Sequence, residues 1–155
     1  LFSIQQVQTR VRGSELEGRW NIGQGLSVYG SYTRLDAKVR RSTDAASLGK
    51  RVALVPKESA SLGADYTFTA GALSGFGFGA GVRYNGGIYG DIYNDWYTPS
   101  FTLIDASVHY DRGPWRLQVN AANAADKKYV SACNSATWCY YGYPRTVTAS
   151  LRYQW

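Results

Sequence analysis

The stretch Gly75–Asn85, GFGFGAGVRYN, divides its residues strictly by parity. Phe76, Phe78, Ala80, Val82 and Tyr84 fall on one side, and Gly75, Gly77, Gly79, Gly81, Arg83 and Asn85 on the other. At a helical step of about 100° per residue both sets would scatter around the circumference. A β-strand sends successive side chains to opposite faces and keeps the sets apart. A chain built from such segments folds as sheet, with one apolar face and one small, polar face.

The pattern recurs along the chain. Ala60, Leu62, Ala64, Tyr66 and Phe68 oppose Ser59, Ser61, Gly63, Asp65 and Thr67, which predicts a strand near Lys57–Thr69. Ile104, Ala106, Val108 and Tyr110 oppose Asp105, Ser107 and His109 within Phe101–Asp111, where Leu103 interrupts the polar face. Trp115, Leu117, Val119 and Ala121 alternate with Arg116, Gln118, Asn120 and Ala122 over Trp115–Asn123. Leu26–Ala37 and roughly Gln6–Ile22 also read as strands. In the latter, Leu16, Trp20 and Ile22 oppose Glu15, Glu17, Arg19 and Asn21, while Val7, Thr9 and Val11 have the opposite phase. That phase change predicts a bulge near Gly13. The chain closes on RTVTASLRYQW, where Val147, Ala149, Leu151, Tyr153 and Trp155 share one parity. About seven strands result.

The connections alternate in length. Gly23–Gly25, Ala70–Ser74 and Arg112–Pro114 are short and carry turn residues. Lys38–Pro56, Gly86–Pro99 and Asp126–Pro144 are long. Strands of about ten residues, with short turns at one end and long loops at the other, are the plan of an outer-membrane β-barrel. The short turns would then be periplasmic and the long loops extracellular. A soluble lipocalin-like barrel or sandwich is the competing architecture. Long strands, Tyr and Trp at strand ends, and a face too small and polar to form a dry interior favour the membrane.

Composition is compatible with this. The chain has 155 residues, 45% hydrophobic and 18% charged, which excludes a disordered tract. No run of eighteen apolar residues exists, and Leu1–Arg12 lacks the apolar centre of a signal peptide. Methionine is absent, which points to a piece of a longer product. The net charge of +6 is dispersed and accompanies no nucleic-acid motif.

By the last third the sequence resembles a known family. LQVNAANAADKKYV contains Asn120, Asn123, Asp126 and Tyr129 in an Asn-x-x-Asn-x-x-Asp-x-x-Tyr run; Gly142 and Arg145 follow as Gly-x-x-Arg, and then comes a final strand ending on an aromatic. This resembles the end of TonB-dependent siderophore receptors of bacterial outer membranes; PSFTLIDASVHYD and GSYTRLDA also look like strands of that family. The family has bulky apolar residues between Asn123 and Asp126, where this chain has Ala124 and Ala125. The resemblance implies an all-β, antiparallel transmembrane β-barrel of the plugged, 22-stranded type. Seven strands are a part of such a barrel. Residues 1–155 are therefore expected to be the C-terminal portion of the barrel domain, with the plug and the earlier strands upstream.

The family implies uptake of a ferric siderophore across the bacterial outer membrane, driven by the TonB–ExbB–ExbD complex through a segment outside this chain. No cofactor is expected, since iron would travel as the siderophore chelate. A passive porin-like channel and a soluble β-barrel binding protein are the alternatives. Catalysis has little support. Lone His109 shares a face with Asp105, but four strand residues separate them by about 13 Å. GFGFGAG alternates within a strand with no helix after it, unlike a dinucleotide loop. Cys133 and Cys139 lack the further ligands of a zinc site and read as a disulfide closing the last long loop. That loop carries Trp138, Tyr140, Tyr141 and Tyr143, and the preceding one Tyr93, Trp96 and Tyr97. Of these, Trp96, Tyr97, Trp138, Tyr140 and Tyr141 are the candidate ligand contacts, since rigid rings with polar tips suit an amphipathic ligand. The same rings could equally form a membrane-interface girdle. Lys38, Arg40, Arg41, Lys50 and Arg51 make the first long loop basic, suited to an anionic ligand or lipopolysaccharide phosphate, or simply to water. The terminal Val147, Ala149, Leu151, Tyr153 and Trp155 resemble the signal read by the barrel-assembly machinery.

Overall fold

A computed structural model describes residues 7–155. Its long strands are β1 (Val7–Ile22), β2 (Leu26–Ser42), β3 (Glu58–Thr67) and β4 (Phe76–Asn85). Two short strands follow, β5 (Ile88–Tyr89) and β6 (Tyr97–Thr98), before β7 (Phe101–Arg112) and β8 (Trp115–Ala122). A second short pair, β9 (Val130–Ser135) and β10 (Trp138–Tyr141), precedes β11 (Thr146–Tyr153). The seven long strands form one antiparallel sheet in the order β1-β2-β3-β4-β7-β8-β11. Residue Gln6, where the sequence pattern begins the first strand, lies outside the described residues.

Register turns the parity pattern into continuous rows. Ala64 faces Ala80, Ala80 faces Ala106, Ala106 faces Ala121 and Ala121 faces Val147, all on the apolar face. Towards the short turns that face becomes aromatic. Tyr66, Phe68, Phe76 and Phe78 cluster there, Tyr66 edge-on to Phe68 at 5.0 Å, and Trp115 lies 4.8 Å from Tyr153. Leu16, Leu62, Leu117, Val147 and Leu151 all stand exposed on this surface. The sheet has no apolar interior of the soluble kind. A patch this large and continuous needs a nonaqueous neighbour.

The opposite face is polar and internally bonded. Ser31 and Ser61 hydroxyls lie 2.7 Å apart, and Arg19 Nε donates to Ser27 Oγ at 3.1 Å. Arg83 forks onto Asp105 with both Nε and a terminal nitrogen. Glycines on this face leave room for neighbours. A Cβ at Gly63 would strike the Tyr29 ring, and one at Gly77 the His109 ring. Among the described residues, no buried side-chain nitrogen or oxygen lacks a partner.

The short turns depend on glycine at one repeated position. Gly25 (φ 94°) and Gly75 (φ 87°) each end a turn, one residue before a strand, in the left-handed region. A Cβ there would lie 2.0 Å from the Thr67 carbonyl oxygen and 2.1 Å from that of Asp111. The same carbonyl-flanked geometry thus recurs at two hairpins.

Several expectations change. The irregularity in the first hairpin lies between Gln8 and Thr9, opposite an extra residue at Arg40, and not near Gly13. From Thr9 to Ile22 the β1 ladder is unbroken. The reversed phase of this end of the strand has a local cause: Thr9 lies opposite Val39 and Val11 opposite Ala37, two buried apolar residues on the face that is otherwise polar. β2 likewise runs to Ser42, so Lys38, Arg40 and Arg41 belong to a strand and not to the first long loop. The ladder of β11 ends at Tyr153; Gln154 N–H adds one bond to Pro114 O at 2.9 Å, and Trp155 is fully exposed beyond it.

Candidate functional site

The long loops pack into a shelf at one end of the sheet. The first folds back on its own strand: Val52 N–H donates to Ala37 O and Val39 N–H to Lys50 O, both at 3.0 Å, which seals Ala37 and Val39. Asn94, in the second loop, grips the first by its side chain. Its Oδ1 accepts from Arg51 N–H at 2.7 Å and its Nδ2 donates to Arg51 O at 3.0 Å. Arg51 also lies over the Tyr89 ring, 5.4 Å from the centroid.

The second loop is a hairpin, with Ile88 facing Thr98 and Tyr89 facing Tyr97. Its turn is held by one carboxylate. Asp91 accepts from Tyr93, Asp95 and Trp96 N–H groups, each at 2.9 Å. Burial pushes that carboxyl up, but those donors and Asp91's own N–H together hold it below the usual carboxylate range. Thr98, 1% exposed, lies at the bottom of this hairpin.

The third loop is a second hairpin, β9–β10, with Cys133 directly opposite Cys139 and bonded to it. It rests on β5 and β6. Cys133 N–H donates to Thr98 Oγ1 at 2.9 Å, and Gly90 lies so close that a Cβ would fall 1.7 Å from the Cys133 carbonyl oxygen.

Of the Asn-Asn-Asp-Tyr and Gly-Arg residues, Asn120 stays within β8 and accepts from Gln118 Nε2 at 2.8 Å, while the others latch this loop to the sheet. Asn123 adopts φ 50°, is buried, and donates to Lys127 O at 2.9 Å and Tyr143 O at 3.1 Å. Its own N–H reaches Asp105 Oδ1 at 3.0 Å. Asp126 accepts from Arg145 N–H at 2.9 Å. The Tyr129 ring lies 4.3 Å from that of Phe101 and covers Gly142, where any Cβ would enter the ring. Tyr129, Phe101 and Leu103 line one cavity, which explains the apolar residue that interrupted the polar face of β7: Leu103 is buried under the latch.

Trp96 and Tyr97 therefore sit on one hairpin, and Trp138, Tyr140 and Tyr141 on the hairpin beside it. Rings pair within each hairpin, Tyr89 with Tyr97 at 5.3 Å and Trp138 with Tyr140 at 6.4 Å. Trp138 is 61% exposed and Tyr141 81%, so both rings stand open on the third-loop hairpin. Val147, Ala149, Leu151 and Tyr153 lie along the edge strand β11. Sequence reasoning missed Asp91, Asn94 and Thr98. The Asx-type pattern around Asp91 and Asn94 in GDIYNDW was the available signal. It also missed the partners of His109. His109 is 3% exposed, 3.0 Å from Thr67 Oγ1, and lies 3.7 Å from Asp65 and 3.8 Å from Asp111, well away from Asp105.

Comparison with known proteins agrees with this architecture. The chain is 38% identical, over 99% of its length, to the ferrichrome outer membrane transporter/phage receptor of Escherichia coli, of which it covers 21%. It is 40% identical, over 98% of its length, to the ferrioxamine receptor of Yersinia enterocolitica, of which it covers 22%. The chain thus spans about a fifth of the length of these curated relatives. The siderophore receptor PiuA from Acinetobacter baumannii superposes with a TM-score of 0.78 at 25% identity, over 95% of this chain and 22% of that one. The ferric yersiniabactin uptake receptor FyuA from Yersinia pestis shares the fold, with a TM-score of 0.81 at 19% identity, over 96% of this chain and 24% of that one. Residues 2–124 match the family described as TonB dependent receptor-like, beta-barrel, and the chain belongs to that family of outer-membrane barrels.

Proposed function

We propose that this chain forms part of the wall and outer binding surface of a TonB-dependent receptor that takes up ferric siderophores. The observation that carries the reading is the loop shelf. It sets two aromatic hairpins side by side at the long-loop end of a sheet whose relatives include receptors named for ferrichrome and ferrioxamine. In this reading residues 1–155 are the C-terminal portion of a larger barrel. The plug and the segment that meets TonB–ExbB–ExbD belong to other parts of the protein.

Trp96, Tyr97, Trp138, Tyr140 and Tyr141 contact the ligand through ring faces and polar tips. Iron stays inside the siderophore chelate, so the residues need only recognise the chelate's surface. The chemical work is binding; release and passage draw on the inner-membrane energy source. Lys38, Arg40 and Arg41, at the far end of β2, meet outer-leaflet lipopolysaccharide phosphate, while apolar rows such as Ala80–Ala106–Ala121 meet acyl chains.

The test uses the full-length receptor in an iron-starved strain. Trp138→Ala and Tyr140→Ala should weaken binding of iron-loaded ferrichrome or ferrioxamine and slow its TonB-dependent uptake. Unchanged affinity for both would remove these residues from the site. Passage of small solutes without TonB would instead make the protein a passive channel.

Val147, Ala149, Leu151, Tyr153 and Trp155 serve the barrel-assembly machinery, which reads an aromatic-ended terminal strand. Deleting Trp155 should lower the assembled amount several-fold while leaving the affinity of the assembled receptor unchanged. Normal assembly without it would refute the role.

A further inference from the structure

Among the described residues, one hydrogen bond joins the two aromatic hairpins inside the shelf, and it lies between their rings along the chain. Thr98 follows Tyr97 in β6, just after Trp96, and its hydroxyl accepts the Cys133 N–H at 2.9 Å. Cys133 is bonded through sulfur to Cys139, which sits between Trp138 and Tyr140. The path from one aromatic group to the other is thus one hydrogen bond and one disulfide. Thr98 is 1% exposed, so its hydroxyl is shut off from water and this bond is its link across the joint. Gly90 reinforces the joint. Its backbone lies against that of Cys133 and Asn134, with no room for a Cβ.

We propose that Thr98 is a positioning residue that holds the disulfide hairpin on β5–β6, so that the two aromatic groups present one ligand surface. The proposal rests on the uptake reading above. A threonine is required for a physical reason. Valine has nearly the same shape but no acceptor, which would leave the part-buried Cys133 N–H without this partner. Serine keeps the acceptor. Alanine at Gly90 would force the hairpins apart with the hydroxyl intact.

The test has two readouts in full-length receptor recovered from outer membranes. The first is hydrogen exchange over residues 130–135. Thr98→Val should speed exchange there by about tenfold, the effect of orphaning one part-buried donor. Gly90→Ala should do the same, and Thr98→Ser should leave exchange near the wild-type rate. The second is the affinity for iron-loaded ferrichrome and ferrioxamine. Trp96→Ala and Trp138→Ala should act non-additively in the wild-type background and additively beside Thr98→Val. Wild-type exchange in both Thr98→Val and Gly90→Ala would overturn the proposal, as would equal effects of serine and valine at position 98. If exchange responds as expected but neither Trp substitution alters affinity, the uptake site falls and takes the ligand half of the proposal with it, while the joint itself stands.

Discussion

In the wall, Leu117, Val147 and Leu151 stand open on one face while His109 is sealed on the other; in the shelf, Ile88 and Thr98 are sealed while Tyr141 and Tyr143 stand open. The wall follows the physics of a sheet in lipid, with apolar surface outward and polar groups satisfied inward. The shelf follows the physics of a water-soluble domain, with its small interior closed under polar and aromatic surface. The same chain crosses between the two regimes several times, and each crossing falls where a strand leaves its apolar rows. A substitution should therefore be judged by the regime it enters, and the two regimes should respond in opposite ways.

The largest effect should come from placing charge in the outward rows. Ala106→Arg sits between Ala80 and Ala121, in the middle of the apolar face. It should cost about 2–4 kcal/mol, the range for a cation near the bilayer midplane of a barrel. Urea titration of the assembled receptor would read this. Tyr141→Arg on the shelf should leave the midpoint unchanged, and equal losses at both positions would erase the distinction. Next, Asn123→Ala strips the latch of its bonds to Lys127 and Tyr143. It should cost about 1–3 kcal/mol locally, seen as protease cleavage within residues 124–145. Opening the Cys133–Cys139 bridge with paired serines should destabilise the third loop by roughly 2 kcal/mol while the urea midpoint of the wall stays put.

The smallest effect should be a pH response at Asp91. Its carboxyl is depressed in the folded state, so its stabilisation is fully present above the ordinary value of about 3.9. That stabilisation is lost as pH falls through the lower folded value. Exchange protection of the Tyr93, Asp95 and Trp96 amides should stay flat from neutral pH to about 5 and fall only under stronger acid. Asp91→Asn should remove that acid step. A fall beginning near neutral pH would assign the effect to another group.

This contrast also explains what was legible beforehand. Wall strands announce themselves because lipid and lumen impose opposite demands on successive residues, so Phe76–Asn85 could be assigned from parity alone. Register is different. The partners of His109 come from β3 and from two residues further along β7, and no single-strand pattern reveals which residues of β3 lie beside it. The bulge was misplaced for a related reason. A phase change in Val7–Val11 reads from the sequence as a break in the strand, although it reflects the buried Ala37 and Val39 that the partner strand places opposite Val11 and Thr9. In the shelf, the residues that matter are joints. Thr98 and Gly90 are common residues in unremarkable positions, and only the arrival of Cys133 gives them meaning. The cysteine pair and the aromatic residues can be picked out by type, whereas their arrangement depends on Asp91, which holds the turn of the second loop, and on Thr98, which meets the third.

The short turns carry a practical consequence for anyone attaching a reporter to this protein. At Gly71 and Gly113 the space where a side chain would project is empty, whereas at Gly25 and Gly75 a neighbouring carbonyl occupies it. An epitope tag or fluorophore handle spliced in beside Gly71 or Gly113 has somewhere to go. Placed at Gly25 or Gly75, it would pry apart adjoining strands. Such open turn positions, Gly23 among them, are therefore the addresses from which antibody access in intact and permeabilised cells can reveal which side of the membrane this rim occupies.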